Sequence, residues 1–366
     1  MLIDGQEQVI GIASDDLLQL RSCRRRSRRR ELGYQAGERL DELGRDLVDL
    51  EHGDGGVNGH DPQTYGLRPG PVSQPVAMRP HVDSVNVVSH IRWSSRPKVT
   101  QPIVVAAFEG WNDAGDAATS AIAHLTDTWN AAFFADLDPE EFYDFTVSRP
   151  HVRIVDLEQR AVDWPENTFS LARPPAAPDV VLIRGIEPQL KWRTFCDEII
   201  SVANDLNARL VMTLGALLAD VAHTRPTSVF GTAYDPAVIN ALHLEPSRYE
   251  GPTGIVGVLH DRCAKAGLNS ASLWAAVPSY VPAAPSPKAA LAMVDRVCSI
   301  LGTATPTGSL ETESVQYEQQ ISELVEEDDD TVAYVKHLEE TYDREGIAEH
   351  KADELVAEVE RFLRDQ

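Results

Sequence analysis

The sequence predicts an α/β protein of three layers, a mainly parallel sheet with helices on both faces, followed by a C-terminal helical unit that must pack on the core or on a neighbouring subunit. Three observations predict it. Short apolar runs, Pro102-Ile-Val-Val-Ala-Ala-Phe108 and Asp179-Val-Val-Leu-Ile-Arg184, suit strands buried on both faces. Helical patterns alternate with such runs, as crossover connections between parallel strands require. Beyond residue 305 the strand pattern stops and only helical stripes remain.

Taken in order, residues 1–84 do not pattern as a packed domain. They hold the run Arg21-Ser-Cys-Arg-Arg-Arg-Ser-Arg-Arg-Arg30 and a stretch rich in Gly, Asp, Asn and Pro from Gly53 to Pro71. Such composition buries too little apolar area to offset the entropy of ordering. The expectation is a solvated, disordered tail, or residues ahead of the native start. The core is expected over 85–305. After the first buried strand, a helix is expected over Asp113–Trp129, where Ala117, Ala121, Leu125 and Trp129 share one stripe. Phe142–Val147 and Val152–Asp156 pattern as strands. Pro188–Leu206 patterns as a helix with Trp192, Phe195, Ile199, Val202 and Leu206 on one face. Strands follow at Arg209–Leu214, Ser228–Ala233 and Ser272–Val277, and helices at Ile255–Ala266 and Lys288–Leu301. Residues 306–366 form an acidic helical subdomain with stripes over Glu311–Glu326, Asp330–Tyr342 and Ile347–Leu363. Docking is expected through Ile321, Leu324, Val335, Leu338, Val359 and Phe362.

Composition narrows the function. Apolar residues make up 43% of the chain and charged residues 25%, as in globular proteins able to bury a core. The longest aliphatic or aromatic run, Ile103–Phe108, is far below the roughly 18 residues of a membrane span, so no membrane is expected as a partner. No apolar stretch follows the arginine run, so a secretory signal is not expected. The net charge of −24 argues against nucleic acid, whose phosphates need clustered Lys and Arg. Residues 306–366 carry 19 acidic against 5 basic side chains, a net of −14. The four cysteines are scattered without a C-x-x-C pair, which suggests a reducing cytoplasm and no structural zinc.

Four loops could carry chemistry, because ligands of open parallel sheets bind beyond the carboxyl ends of the strands. In Phe108-Glu-Gly-Trp-Asn-Asp-Ala-Gly-Asp116, Gly110 permits a tight turn, and Asn112 or Asp113 can cap the next helix. Glu109, Asp113 and Asp116 make the loop acidic, suited to a cation, an amine or acid–base work; simple helix capping is the alternative. In Arg184-Gly-Ile-Glu-Pro188, Gly185 is expected to make the turn, Pro188 to open a helix, and Glu187 to face a ligand or a local ion pair. In Ala219-Asp-Val-Ala-His-Thr-Arg-Pro226, His223 beside Arg225 suits a carboxylate or phosphate, with Asp220 able to orient the imidazole; a structural histidine is the alternative. In Tyr249-Glu-Gly-Pro-Thr-Gly254, Thr253 can cap a helix, but the Lys of a P-loop is missing. The candidate ligand-binding residues are therefore Glu109, Trp111, Asn112, Asp113, Glu187, His223, Arg225 and Thr253. A pocket bounded by Trp111, Glu187, His223 and Thr253 is expected. The sequence has no G-x-S-x-G, H-E-x-x-H or G-x-G-x-x-G, and Cys196 falls on a core stripe. No metal, cofactor or nucleophile is indicated.

These segments also occur in a telling order: Phe108-Glu-Gly-Trp-Asn-Asp-Ala-Gly115, Gly185-Ile-Glu-Pro-x-x-x-Trp-x-x-Phe195, His223-Thr-Arg-Pro226, Tyr249-x-Gly-Pro-Thr-Gly254 and Trp274-Ala-Ala-Val-Pro-Ser-Tyr-Val281. The series resembles the actinobacterial branch of the PAC2 family of proteasome assembly chaperone-like proteins, from about Val85 onward. That resemblance implies a core like those of purine nucleoside phosphorylases and peptidyl-tRNA hydrolases, a mixed, mainly parallel sheet flanked by helices. It also implies that the C-terminal helical extension is a helical lid over the strand ends, and a homo-oligomer, a trimer. Two features depart from the pattern. The chain ends Leu363-Arg-Asp-Gln366 rather than in the hydrophobic residue, tyrosine and free residue of proteasome-docking relatives, and Ser279 stands where histidine is expected. The resemblance implies a non-catalytic binding or assembly-chaperone-like protein, with a proteasome-related or other protein partner and an unidentified small ligand. The alternatives are a hydrolase or phosphorylase-like enzyme acting beneath the lid, and a structural oligomer whose acidic helices recruit partners.

Overall fold

A computed structural model describes residues 89–344 except 157, 158, 248 and 307. The expected tail over 1–84 and the stripe over Ile347–Leu363 lie outside the described residues. By contacts the chain divides into two units, Met1–Val87 and Val88–Gln366, and the described residues belong to the second.

In chain order the strands are β1 (Ile91–Trp93), β2 (Ile103–Glu109), β3 (Ala132–Leu137), β4 (His151–Asp156), β5 (Gln159–Asp163), β6 (Asn167–Ala172), β7 (Val180–Ile186), β8 (Leu210–Ala219), β9 (Val229–Ala233), β10 (Glu245–Pro246) and β11 (Ser270–Pro278). The helices are α1 (Ala117–Thr128), α2 (Trp192–Asp205), α3 (Pro236–Leu242), α4 (Ile255–Lys265), α5 (Pro287–Leu301), α6 (Ser309–Glu326) and α7, over residues 329–344. Nine strands form one sheet in the order β1-β3-β6-β7-β2-β8-β11-β9-β10, and β4 with β5 forms a separate hairpin.

The sheet is mixed around a parallel centre. β7, β2, β8 and β11 are parallel neighbours, whereas β1, β3 and β6 on one flank and β9 on the other join antiparallel. Strand alternation divides the core into two layers. Ile103, Val105 and Ala107 of β2 pack with Ala121 and Leu125 of α1 and Met293 and Val297 of α5. Val104, Ala106 and Phe108 face the other way, onto Phe195 and Ile199 of α2 and Ile255 and Leu259 of α4. Burial on both faces is why these central strands are continuous apolar runs.

Several expectations need correction. Phe142–Val147 is not a strand: a short 3-10 turn at Pro139–Glu141 leads into it, and Phe142 and Tyr143 are both buried. The N–H groups of Phe142 and Tyr143 turn back to the Pro139 carbonyl, and those of Val147 and Ser148 to the Asp144 carbonyl, so the backbone spends them on turns rather than on a strand partner, and the aromatic alternation misleads. The strands of this region are β3 and β6. Helix α1 starts at Ala117 rather than Asp113, because Gly115 (φ 58°) and Asp116 (φ 51°) are left-handed. Helix α2 starts at Trp192, so Pro188 precedes it rather than opening it. Gly185 lies inside β7 and makes no turn.

The C-terminal helices dock at the carboxyl edge of the central strands. Tyr317, Ile321 and Val325 of α6 and Val335 and Leu338 of α7 bury against Ala222, Val281 and Ala284, with Leu324 partly buried beside them. Four of the six expected contacts are therefore present; Val359 and Phe362 lie outside the described residues.

Candidate functional site

The strand-end loops hold their candidate residues in two groups. The first surrounds the end of β2. Gly110 has φ 136°, a region that favours glycine, and a Cβ there would stand 3.0 Å from Cβ of Glu187. The turn brings the end of β2 against the end of β7, where the Glu187 N–H donates to the carbonyl of Glu109 at 2.8 Å. The Glu187 carboxylate then crosses to α4, accepting from the Ile255 N–H at 2.8 Å and, more weakly, from Trp111 N–H at 3.4 Å. Glu187 thus caps α4 from a distant strand, completing an open helix N-terminus with a negative charge. Thr253 does not cap this helix; the N-cap position is Gly254, and the Thr253 hydroxyl points to the Gly254 carbonyl at 3.5 Å.

Asp113 also serves a helix. It is 5% exposed, and its carboxylate accepts from the N–H groups of Ala118 (2.7 Å) and Thr119 (3.2 Å) and from the Thr119 hydroxyl. Burial pushes its pKa up to about 6, against the lowering effect of those donors. Neighbouring Asn112 is buried, with its side-chain oxygen unpartnered, while its backbone carbonyl accepts from Ala216 N–H of β8 at 2.7 Å. Glu109 is exposed, and Trp111 is 63% exposed.

The second group follows β8. His223 is 3% exposed. Its backbone N–H donates to the Tyr280 hydroxyl at 2.8 Å, and that hydroxyl lies 2.7 Å from ring Nδ1. The Ser322 hydroxyl of α6 donates its own proton to the Glu318 carbonyl at 2.8 Å and lies 2.9 Å from Nε2, so it can only accept there and the ring proton sits on Nε2. In the neutral ring, Nδ1 then accepts from the Tyr280 hydroxyl. Burial holds His223 below its ordinary pKa. Arg225 makes a two-pronged ion pair with Asp343 of α7, both contacts at 2.8 Å, and reaches Glu339 at 3.2 Å. Asp220 does not orient His223; it accepts from Ser279 at 3.0 Å and from Tyr334 of α7 at 2.8 Å. Lys288 of α5 bonds the His223 carbonyl and the Glu318 carboxylate, each at 2.5 Å. A cleft with room for about one water remains, lined by residues that include His223, Ser286, Lys288 and Tyr317.

Trp111 and Glu187 come together at the foot of α4, whereas His223, at the same carboxyl edge, is enclosed by Tyr280 and α6. The expected four-residue pocket is thus two separate settings. Sequence reasoning missed Tyr280, Ser322, Lys288 and Glu318, whose partners lie far off in the chain. It also missed a buried support for the Glu187 loop. A Cβ on Gly185 would lie 1.7 Å from the Asn167 side-chain oxygen, so the glycine makes room for Asn167. Asn167 donates to the Tyr143 hydroxyl, which donates to the Ile186 carbonyl at 2.6 Å. Among the described residues no cluster of His, Cys, Asp or Glu could hold a metal, and no helix is long and apolar enough to cross a membrane.

With this geometry, the comparison with known proteins is decisive at the family level: residues 107–325 match the PAC2 family. The chain belongs to the PAC2 family. A PAC2 family protein from Streptomyces avermitilis is 45% identical, with a TM-score of 0.61, covering 64% of this chain and 99% of that one. A proteasome-assembly chaperone homologue from Mycobacterium tuberculosis is 47% identical, with a TM-score of 0.59 and the same coverage. An archaeal proteasome activator from Pyrococcus furiosus shares the fold at 18% identity and a TM-score of 0.53, covering 64% of this chain and 97% of its own. No curated protein matches the chain. This PAC2 chain is thus related to proteasome-assembly chaperone homologues.

Proposed function

We propose that this PAC2 protein is a non-catalytic, assembly-chaperone-like binding protein that works in the cytoplasm as a homo-oligomer, a trimer, with a proteasome-related partner. The observation that carries this reading is the use made of its acid–base candidates. Asp113 and Glu187 cap helices, and His223 is enclosed with both ring nitrogens engaged. General acid–base work needs a group within reach of substrate, so the hydrolase or phosphorylase reading has less support. Exposed Trp111 is the kind of side chain that anchors protein interfaces. Exposed Glu109 and Thr253 then border a recognition surface beneath which Asn112 is buried, and Arg225 holds the lid. Kinship with a proteasome-assembly chaperone homologue supports the choice of partner.

The test is native mass spectrometry of the purified chain, alone and mixed with proteasome core-particle α subunits. A trimer alone and a defined mixed complex, weakened by Trp111→Ala, are expected. A monomer that forms no mixed complex would sink the proposal.

A further inference from the structure

We propose that His223 is a proton-operated latch that holds α6 and α7 down at neutral pH and releases them on acidification. Nδ1 accepts from Tyr280, in the loop after β11, and Nε2 donates to Ser322 of α6. Only the neutral imidazole satisfies both. A proton added to Nδ1 turns that nitrogen into a donor facing a hydroxyl that already accepts the His223 N–H, so Tyr280 must turn its own proton away. The charge would also be created in a site from which water is nearly excluded.

The charged and titratable groups around the ring do not cancel that cost. Glu318 of α6 and Glu339 of α7 favour the charged ring, Lys288 of α5 opposes it, and Tyr280 is neutral; burial outweighs them and keeps the imidazole below its ordinary value. Glu318 is already committed to Lys288, and Glu339 to Thr224 and Arg225. Tyr334 of α7 packs edge-on against Tyr280, with ring centroids 6.1 Å apart, so displacement at Tyr280 is felt by both C-terminal helices.

The sign follows from linkage. Released, His223 titrates near its ordinary value of about 6.5; docked, it titrates lower. The latch's contribution is therefore complete above about pH 6.5 and falls as pH drops toward the docked value, by up to about tenfold in docked population per pH unit. Release uncovers Ala222, Val281 and Ala284 together with the apolar stripe of α6. Acid thereby exposes an apolar face at the carboxyl edge of the sheet.

Hydrogen exchange of the full chain between pH 7.5 and 5, corrected for intrinsic rates, reads this directly. Protection across residues 309–344 should fall with acidification while that of Ile103–Glu109 holds. His223→Asn keeps an acceptor for Tyr280 without titrating, and should flatten the response. Tyr280→Phe removes the donor to Nδ1, which brings the docked ring closer to the released one, and should shrink the response. Wild-type protection independent of pH overturns the latch. An unchanged pH response in His223→Asn also overturns it, by assigning the effect to Glu318 or Glu339. Should both variants fail to fold, an NMR titration of the wild-type ring decides: a neutral Nε2–H form at pH 7 with a depressed midpoint supports the latch, and a ring charged at pH 7 overturns it.

Discussion

The loop after β2 and the loop after β8 lie at the same edge of one sheet and hold similar residue types, yet they put them to different uses. At the end of β2, Asp113 and, reaching over from the end of β7, Glu187 turn inward to complete the N-termini of α1 and α4, leaving Trp111 outside. After β8, His223 and Arg225 turn toward α6 and α7 and hold them in place. The first loop stiffens the core and leaves a surface open; the second closes a surface. Charged residues at strand ends mark a place where ligands can bind, and their partners decide whether they are available to one.

The largest test of this contrast removes the cover. Deleting Gly308–Gln366 should leave a folded sheet with Ala222, Val281 and Ala284 exposed, read as a several-fold rise in binding of a hydrophobic dye. An unchanged dye signal and melting temperature would mean that the helices cover nothing. Gly185→Ala comes next. Its methyl would overlap Asn167 inside the sheet, so a loss of about 3 kcal/mol in urea unfolding is expected. A loss below about 1 kcal/mol would show that Asn167 can move aside without cost.

A smaller effect distinguishes capping from catalysis at Asp113. Asp113→Ala should cost about 2 kcal/mol, since two N–H groups and a hydroxyl lose their acceptor. Because the folded-state pKa is raised to about 6 from 3.8, the wild type should lose stability as pH rises through that window, by up to about 3 kcal/mol. Asp113→Asn retains an acceptor and should abolish that slope. Denaturant midpoints at pH 4 and pH 7 check both statements, and an unaltered slope in Asp113→Asn would assign the titration elsewhere. The smallest expected change in stability is at Trp111→Ala, within about 0.5 kcal/mol for an exposed side chain. A larger loss, read as a shift in urea midpoint, would make Trp111 part of the scaffold rather than of the open surface.

How much was legible follows the same physics. β2, β7, β8 and β11 declare themselves because burial on both faces forces continuous apolar runs. β3 and β6 do not: their sequences, Ala-Phe-Phe-Ala-Asp-Leu and Asn-Thr-Phe-Ser-Leu-Ala, mix polar and apolar residues without clean alternation. At the site, Asp113 as a cap could be read locally, because its partners are five and six residues away. Glu187 as the cap of α4 could not, with its partner 68 residues on. Nor could the neutral state of His223, which depends on a tyrosine and a serine from two other elements.

The distances along the chain have a consequence for the order of folding. The bonds from His223 to Ser322 and from Arg225 to Asp343 and Glu339 span 99, 118 and 114 residues. The sheet and helices α1–α5 are complete in sequence by Leu301. During synthesis from the N-terminal end, the sheet can therefore close before α6 and α7 have left the ribosome. For that interval the Ala222–Val281–Ala284 patch lacks the cover that α6 and α7 give it. A nascent molecule is thus more adhesive until these two helices emerge, and their docking ends that exposure.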